Sequence, residues 1–232
     1  MEKRKKNYKI NIWQGDYFLI KELNTFIKNS LKENIRLGSI VLDIGCGEQP
    51  FRDYIEECGG SYLGVDVNQN AENNVDIIAN ATDLKIIKTE SIDIVLCTEV
   101  FEHIDMVDLA FAEICRVLKK EGVLILTSPF IYPLHEEPYD FIRLTPFKIK
   151  EMSQKNGTEI IIIEKLGNVF KVCANLIDNA FLRSSKDSFA LKLVSALSKS
   201  VLNYLAIIFS FLFLGKNDRR IYSHNVAIIK KK

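Results

Sequence analysis

The stretch VLDIGCGEQPF, residues 41–51, decides how the chain folds. Apolar and small residues surround Asp43; Gly45 and Gly47 follow, then Pro50 and Phe51. A buried strand that ends on an acid and passes into a loop almost without side chains lets a ligand approach the backbone, because glycine adopts dihedrals that a Cβ forbids. Pro50 suits the first turn of a following helix, where no N–H is needed. Strand, glycine turn and helix N-terminus together make the nucleotide-binding corner of a doubly wound sheet. Two glycines alone also fit a plain tight turn.

Outward from that corner, short β-branched runs bounded by Gly, Asn or Asp recur at SIVLDI (39–44), SYLGVDV (61–67), VDIIA (75–79), SIDIVLC (91–97) and GVLILTSP (122–129). Each predicts a buried strand. MVDLAFAEICRVLKK, 106–120, repeats its apolar residues at helical spacing and ends in lysines before Gly122, as a helix C-terminus should. Residues 16–34 predict an amphipathic helix capping one end of the sheet, 147–155 a further helix, NGTEIIIIEKLG a turn and strand, and SHNVAIIKK (223–231) the last strand. Strands alternating with helices imply parallel pairing, with ligands at the carboxyl ends.

With 232 residues, 47% apolar and 26% charged, the chain has the composition of a globular protein able to build a core without disulfides. A net charge of +1 supplies no global field for nucleic acid, and the basic ends MEKRKK and IIKKK are those of solvated tails. The five cysteines are odd in number and form no CxxC pair, which fits reduced thiols in a cytoplasmic protein. NYKINIWQGDYF lacks the apolar core of a secretion signal.

Asp66 closes the second strand about twenty residues after the glycines, where a carboxylate can accept both hydroxyls of a ribose. A dinucleotide enzyme shares that acid. It does not share Asp43, whose carboxylate would repel a pyrophosphate and suits an amine-bearing or cationic ligand instead.

With VLDIGCG, LGVD, IIANATDL, SIDIVLCTEVFEHI, FAEICRVLKKEG and VLILTSPF in this order, residues from about 38 to 165 resemble the class I S-adenosylmethionine-dependent methyltransferases of the type 11 small-molecule kind. The resemblance implies an α/β, doubly wound, mostly parallel seven-stranded Rossmann-like sheet with an antiparallel last strand and a helical insertion before it. With the helical periodicity read on either side of the stretch that carries the resemblance, the chain divides into a basic segment and helix (1–36), a methyltransferase core binding S-adenosylmethionine (SAM; 37–166), an apolar helical insertion (167–220), and a final strand with its tail (221–232). The resemblance also implies that Asp43, Gly45 and Gly47 hold the methionine end of SAM, Asp66 the ribose hydroxyls, Asn80 and Ala81 the adenine edge, that Cys97 offers its backbone near the amino acid moiety, and that Val67 is among the cofactor-binding residues. Two positions depart from the family pattern: Gln49 replaces a third glycine, which would widen the loop, and Asn80 replaces an acid.

For the chemistry, TEVFEHI sets Glu99, Glu102 and His103 at i, i+3 and i+4, on one face if the segment is helical. His103 and His135 are the candidate bases, with Glu102 and His103 as a polar cap in the structural alternative. The catalytic set is read without a metal. As a second option Glu99, Glu102, His103 and His135 could hold a divalent ion, a pattern that resembles metal-dependent quinone and RNA 3′-end methyltransferases. PFIYPLHEEPYDFIRLTP, 129–146, resembles the H-x-x-P-x-D-F/Y-x-R-x-T loop of a type 11 branch associated with surface polysaccharide or lipid modification. An Asp140–Arg143 ion pair pinning that loop is the simpler account, and both can hold.

The expected function is SAM-dependent methylation, on oxygen, of a small-molecule, sugar or lipid-linked acceptor, without nucleic acid. The alternatives are a catalytically silent binding module of the same fold and, less favoured, a nicotinamide dehydrogenase. The run from Val201 to Leu214, roughly 14 residues, is shorter than the 18 or more of a membrane span. Residues 187–216 fit a lid, a homodimer contact or a helix lying peripherally at the inner face of a membrane.

Overall fold

The structure is a computed structural model that describes residues 17–184, 201, 204–206, 208–212 and 220–232. Among these residues seven strands form one sheet in the order β3-β2-β1-β4-β5-β7-β6. They are β1 (Ile40–Ile44), β2 (Ser61–Asp66), β3 (Ile77–Ile78), β4 (Ile92–Thr98), β5 (Leu118–Pro129), β6 (Thr158–Leu166) and β7 (His224–Lys231). β1 to β5 pair in parallel, while β7 runs antiparallel to both β5 and β6. The expected doubly wound sheet with a reversed last strand is therefore what forms. The chain winds from β1 outward to β3, then returns to β4 on the other side of β1, so the crevice beyond β1 and β4 is the topological switch point.

Helices cover both faces, which is why the central strands are apolar through most of their length, with Asp43 and Thr98 near their carboxyl ends. On one face α1 (Tyr17–Asn34) and α2 (Arg52–Glu57) bury Ile27, Leu31 and Ile55 against Val41, Ile94, Leu96 and Ile125. On the other, α3 (Val107–Val117) and α4 (Pro146–Lys155) bury Phe111, Ile114, Ile149 and Met152 against Leu42, Ile44, Val95 and Leu126. α1 follows the predicted spacing, with Leu19, Leu23, Ile27 and Leu31 all buried. Its stripe lies on a face of the sheet instead of capping an end.

Three local expectations shift. α3 stops at Val117 and not at Lys120, because Leu118 already pairs with Ile92 and Lys119 reaches Asp93 on β4 at 2.8 Å. The Lys–Lys–Glu–Gly signal instead makes an irregular entry into β5, with Glu121 at φ +64°. Pro50 precedes α2 in a turn, Phe51 occupying the N-cap. At α4 the proline does open the helix, and Thr145 Oγ1 accepts the Lys148 N–H at 3.1 Å.

From the stretch read as an insertion, α5 (Val169–Ser184) is described, with helical residues at 201, 204–206 and 208–212. Phe209 packs on Phe170 with ring centroids 5.6 Å apart, and Ser210 donates to Asn168 at 3.1 Å. The greater part of 187–216 lies outside the described residues. No described helix is long and apolar enough to cross a membrane.

Candidate active site at the carboxyl ends of β1 and β4

The glycine corner is built by left-handed backbone: Gly45 has φ +66°, Gly47 +50° and Gln49 +54°. Gln49 thus adopts the conformation a third glycine would favour, and buried contacts hold it there. Its Nε2 donates to Asn74 O at 2.7 Å, and its Oε1 accepts from Arg52 at 2.7 Å. Arg52 also reaches Asp76 at 3.3 Å, which accepts the Gly64 N–H at 2.8 Å. Both polar groups of Gly47 are tied to the segment after β2, its N–H to Asp66 Oδ2 and its carbonyl to Asn70, each at 2.9 Å. These bonds fix the span of the loop.

Asp43, 2% exposed, accepts the Tyr62 hydroxyl at 2.7 Å. Burial, then the Asp43 charge, raises the Tyr62 pKa, so the phenol stays a donor. Beside them burial, then Asp43 and Asp66, push the Cys46 thiol up to about 12, which makes it an uncharged packing group. Asp66 ends β2 facing the loop, with Val67 exposed next to it. Ala81 is buried, whereas the Asn80 amide oxygen accepts from the Thr82 N–H at 3.0 Å and hydroxyl at 2.9 Å, an Asx turn. Cys97 is wholly buried on β4, paired with Ile44 and Leu126, its side chain in the core on the α3 face. All the expected donor residues therefore lie along the carboxyl ends of β1, β2, β3 and β4.

TEVFEHI does not form one helical face. Glu99 has φ +55° and Phe101–His103 is a single 3-10 turn, so Glu99 and Glu102 diverge. Glu99 turns to β5 and β7: its Oε1 accepts from Thr127 Oγ1 at 2.7 Å, and its Oε2 lies 3.2 Å from His224 Nε2. It is thereby separated from the set of four proposed as metal ligands. Left-handed backbone costs a non-glycine residue about 1–2 kcal/mol and persists only where surroundings over-determine it.

Glu102, 1% exposed, turns under the loop that follows β5. Its Oε1 stands 3.5 Å from His103 Nε2 and 3.7 Å from His135 Nε2, with no hydrogen bond to either carboxylate oxygen among the described residues. The protons can be placed from the other ring nitrogens. His103 Nδ1 is 2.7 Å from Tyr139 O, and His135 Nδ1 is 3.2 Å from both Pro133 O and Asp140 Oδ2. These partners only accept, so each Nδ1 carries the hydrogen and each Nε2 of a neutral ring presents a lone pair toward Glu102. Burial raises the Glu102 carboxyl, partly opposed by His135, and the Glu102 oxygen in turn raises His135. Acceptors facing acceptors call for something positive between them, a proton or a cation. Glu102, His103 and His135 can bring one ligand atom each within 4.8 Å of one another.

The loop 130–145 is clasped onto this centre. The Phe141 N–H donates to Glu102 O at 2.8 Å, and Arg143 binds Asp140 through both guanidinium nitrogens, Nη2 at 2.7 Å. Burial alone would raise Asp140, but Arg143 and the His135 N–H overcome it and hold the carboxyl below the usual range. The ion pair thus pins the loop and, through Asp140, sets the His135 tautomer. Tyr132 lies edge-on to His135 and tilted against His224, centroids 5.4 and 5.6 Å away.

His224 and Thr127 are residues that sequence reasoning missed. All three histidines of the chain gather at this end of the sheet. His224 arrives because β7 is antiparallel, its first residue pairing with Pro129, the last of β5. The signal available was a histidine opening a strand expected to run backwards.

Comparison with known proteins agrees with this geometry. Residues 42–126 match the family model described as a methyltransferase domain. A ubiquinone biosynthesis O-methyltransferase of Bartonella quintana is 31% identical over 99 residues, 38% of this chain and 40% of that protein. The chain thus spans well under two thirds of the length of that relative. Among solved structures, a SAM-dependent methyltransferase from Archaeoglobus fulgidus aligns with TM-score 0.58 and 21% identity, over 93% of this chain and 99% of the other. The [4+2]-cyclase SpnF aligns with TM-score 0.61 and 15% identity, over 97% of this chain and 86% of the other. The second pairing marks the fold as one that hosts more than one chemistry.

Proposed function

We propose that this chain, a member of the class I SAM-dependent methyltransferases, methylates an oxygen of a small-molecule, sugar or lipid-linked acceptor. The observation that carries the proposal is that the same end of the sheet, at the topological switch point, bears both the glycine corner tied to Asp66 and the buried Glu102 beside His103 and His135. Asp43, Gly45 and Gly47 would hold the methionine end, Asp66 and Val67 the ribose, Asn80 and Ala81 the adenine, and the Cys97 backbone would flank the amino acid moiety. SAM bound there supplies an electrophilic methyl on a sulfonium. The residues then have to orient the acceptor and take its proton as its oxygen attacks. His135 Nε2, half-buried beside Tyr132 and polarised by Glu102, is the base this arrangement favours, with His103 held by Tyr139 as its partner. The Bartonella relative, an O-methyltransferase by name, supports oxygen as the nucleophile.

The Glu102 oxygens, without a hydrogen-bond partner among the described residues, and the convergence of one ligand atom each from Glu102, His103 and His135 favour a second reading, in which these three groups hold a divalent cation. The ion would polarise a hydroxyl of the acceptor and lower its pKa. Titration calorimetry with SAM and with its demethylated product, followed by transfer from radiolabelled SAM to hydroxylated acceptors with and without chelator, tests both. Binding of both ligands is expected. A folded protein that binds neither sinks the methyltransferase assignment, and full activity after chelation removes the cation.

The expected peripheral membrane contact remains a proposal, supported by exposed Tyr204, Leu205, Ile208, Phe211 and Leu212, an apolar group larger than isolated surface residues would make. Flotation with vesicles rich in anionic lipid should carry the protein, and Phe211→Ser with Leu212→Ser should release it. Equal recovery of both proteins in the floated fraction would argue against that face.

A further inference from the structure

We propose that His224, together with Thr127, is a positioning residue for the donor site, holding Glu99 in the left-handed turn that seats Val100 against Gly45. This rests on the assignment of the glycine corner to SAM. β4 ends at Thr98, and the next residue, Glu99, has φ +55°. Three contacts keep it there: its N–H donates to Thr127 O at 3.2 Å, Thr127 Oγ1 donates to its Oε1 at 2.7 Å, and His224 Nε2 lies 3.2 Å from its Oε2. Both pins are buried, Thr127 at 0% and His224 at 3% exposure. The buried Nδ1 of His224 has no hydrogen-bond partner among the described residues, so the favourable tautomer puts the hydrogen on Nε2, where it can be donated to Glu99.

β7 delivers the imidazole. His224 pairs with Pro129, the Phe130 N–H donates to Ser223 O at 2.6 Å, and the Ser223 N–H to Leu166 O at 2.9 Å, so its backbone is fixed from both neighbouring strands. On the other side of the turn, the Val100 side chain occupies the space a Cβ on Gly45 would fill, with Val100 Cγ1 3.1 Å from that position. A change of φ at Glu99 would swing Val100 away from the loop it supports. The antiparallel strand at one side of the sheet is thereby coupled to the cofactor loop at its centre.

The test needs no acceptor. SAM affinity by calorimetry and thermal melting are measured for the wild type, His224→Leu, His224→Gln, and His224→Leu combined with Glu99→Gly. His224→Leu should weaken SAM about tenfold, the scale of a strained turn no longer opposed by its partners. His224→Gln, which keeps an N–H for Glu99, should recover most of the loss. Adding Glu99→Gly to His224→Leu should also restore binding, because glycine takes the left-handed turn without pins. A merely structural role would lower the melting temperature and leave SAM affinity alone. Affinity within about twofold of wild type in His224→Leu, or a loss that Glu99→Gly does not repair in a folded protein, overturns the proposal. Should His224→Leu not fold, Thr127→Val with and without Glu99→Gly puts the same question. Wild-type protein that fails to bind SAM overturns the donor-site assignment, and this inference with it.

Discussion

Replacing Gly45 with alanine is expected to abolish measurable SAM binding and to lower the melting temperature. The new Cβ would overlap Val100 Cγ2 and lie 3.1 Å from Cγ1, on a backbone at φ +66°. The dihedral alone costs about 1–2 kcal/mol for an L-residue. Overpacking adds about 1–3 kcal/mol, because Val100 is buried and closely surrounded. Such a sum is a large fraction of the roughly 5–15 kcal/mol that holds a domain together. The molecule can escape only by moving the loop or the turn after β4, and either movement misplaces the donor corner. Truncating the obstacle in Gly45→Ala with Val100→Ala should recover part of the stability and some of the binding, leaving the dihedral cost. Calorimetry on both variants, read beside their melting curves, decides the matter. A single Gly45→Ala protein that binds SAM like the wild type would show that the loop has slack that the packing denies.

Asp66→Ala is expected to weaken SAM by at least about two orders of magnitude while leaving the fold intact. Hydrogen bonds to a charged group contribute about 1.5–3 kcal/mol each, and every 1.4 kcal/mol is about tenfold in affinity. Two ribose hydroxyls would be lost together. The same carboxylate also accepts from Gly47 N at 2.9 Å and Asn68 N at 3.3 Å, so its removal frees the loop on the side where the ribose should lie. Asp66→Asn keeps one acceptor oxygen and should fall between. An Asp66→Ala protein within about threefold of wild type would remove the ribose role from this residue.

The sheet was legible because its signals are local and redundant. The runs at 39–44, 61–67, 91–97 and 122–129 are short, mostly apolar segments whose core residues pack on both faces of the sheet, and glycines or acids mark their ends. The same holds for Asp66, whose place at the end of a strand follows from the length of one βαβ step. TEVFEHI does not meet the condition for one helical face, for a reason equally physical: the i, i+3, i+4 rule assumes right-handed helical dihedrals. Glu99, pinned by Thr127 and His224, takes φ +55° instead and turns its carboxylate to Thr127 and His224 while Glu102 faces His103 and His135. Likewise the lysines after Val117 read as a helix end, yet pairing of Leu118 with Ile92 and of Lys119 with Asp93 draws them into β5.

By itself the sequence determined the doubly wound sheet, the glycine corner of VLDIGCG, the acid that follows it and the presence of an ionisable cluster beyond β4, since hydrophobic period and glycine placement act over a few residues. Only the tertiary structure decided which of those ionisable groups share a site. Glu102 joins His103 and His135 because the Phe141 N–H folds the distant loop onto it, and Glu99 joins His224 because an antiparallel last strand returns to the end of β5. Contacts between residues so far apart in the chain are set by strand order and register, which no local pattern encodes.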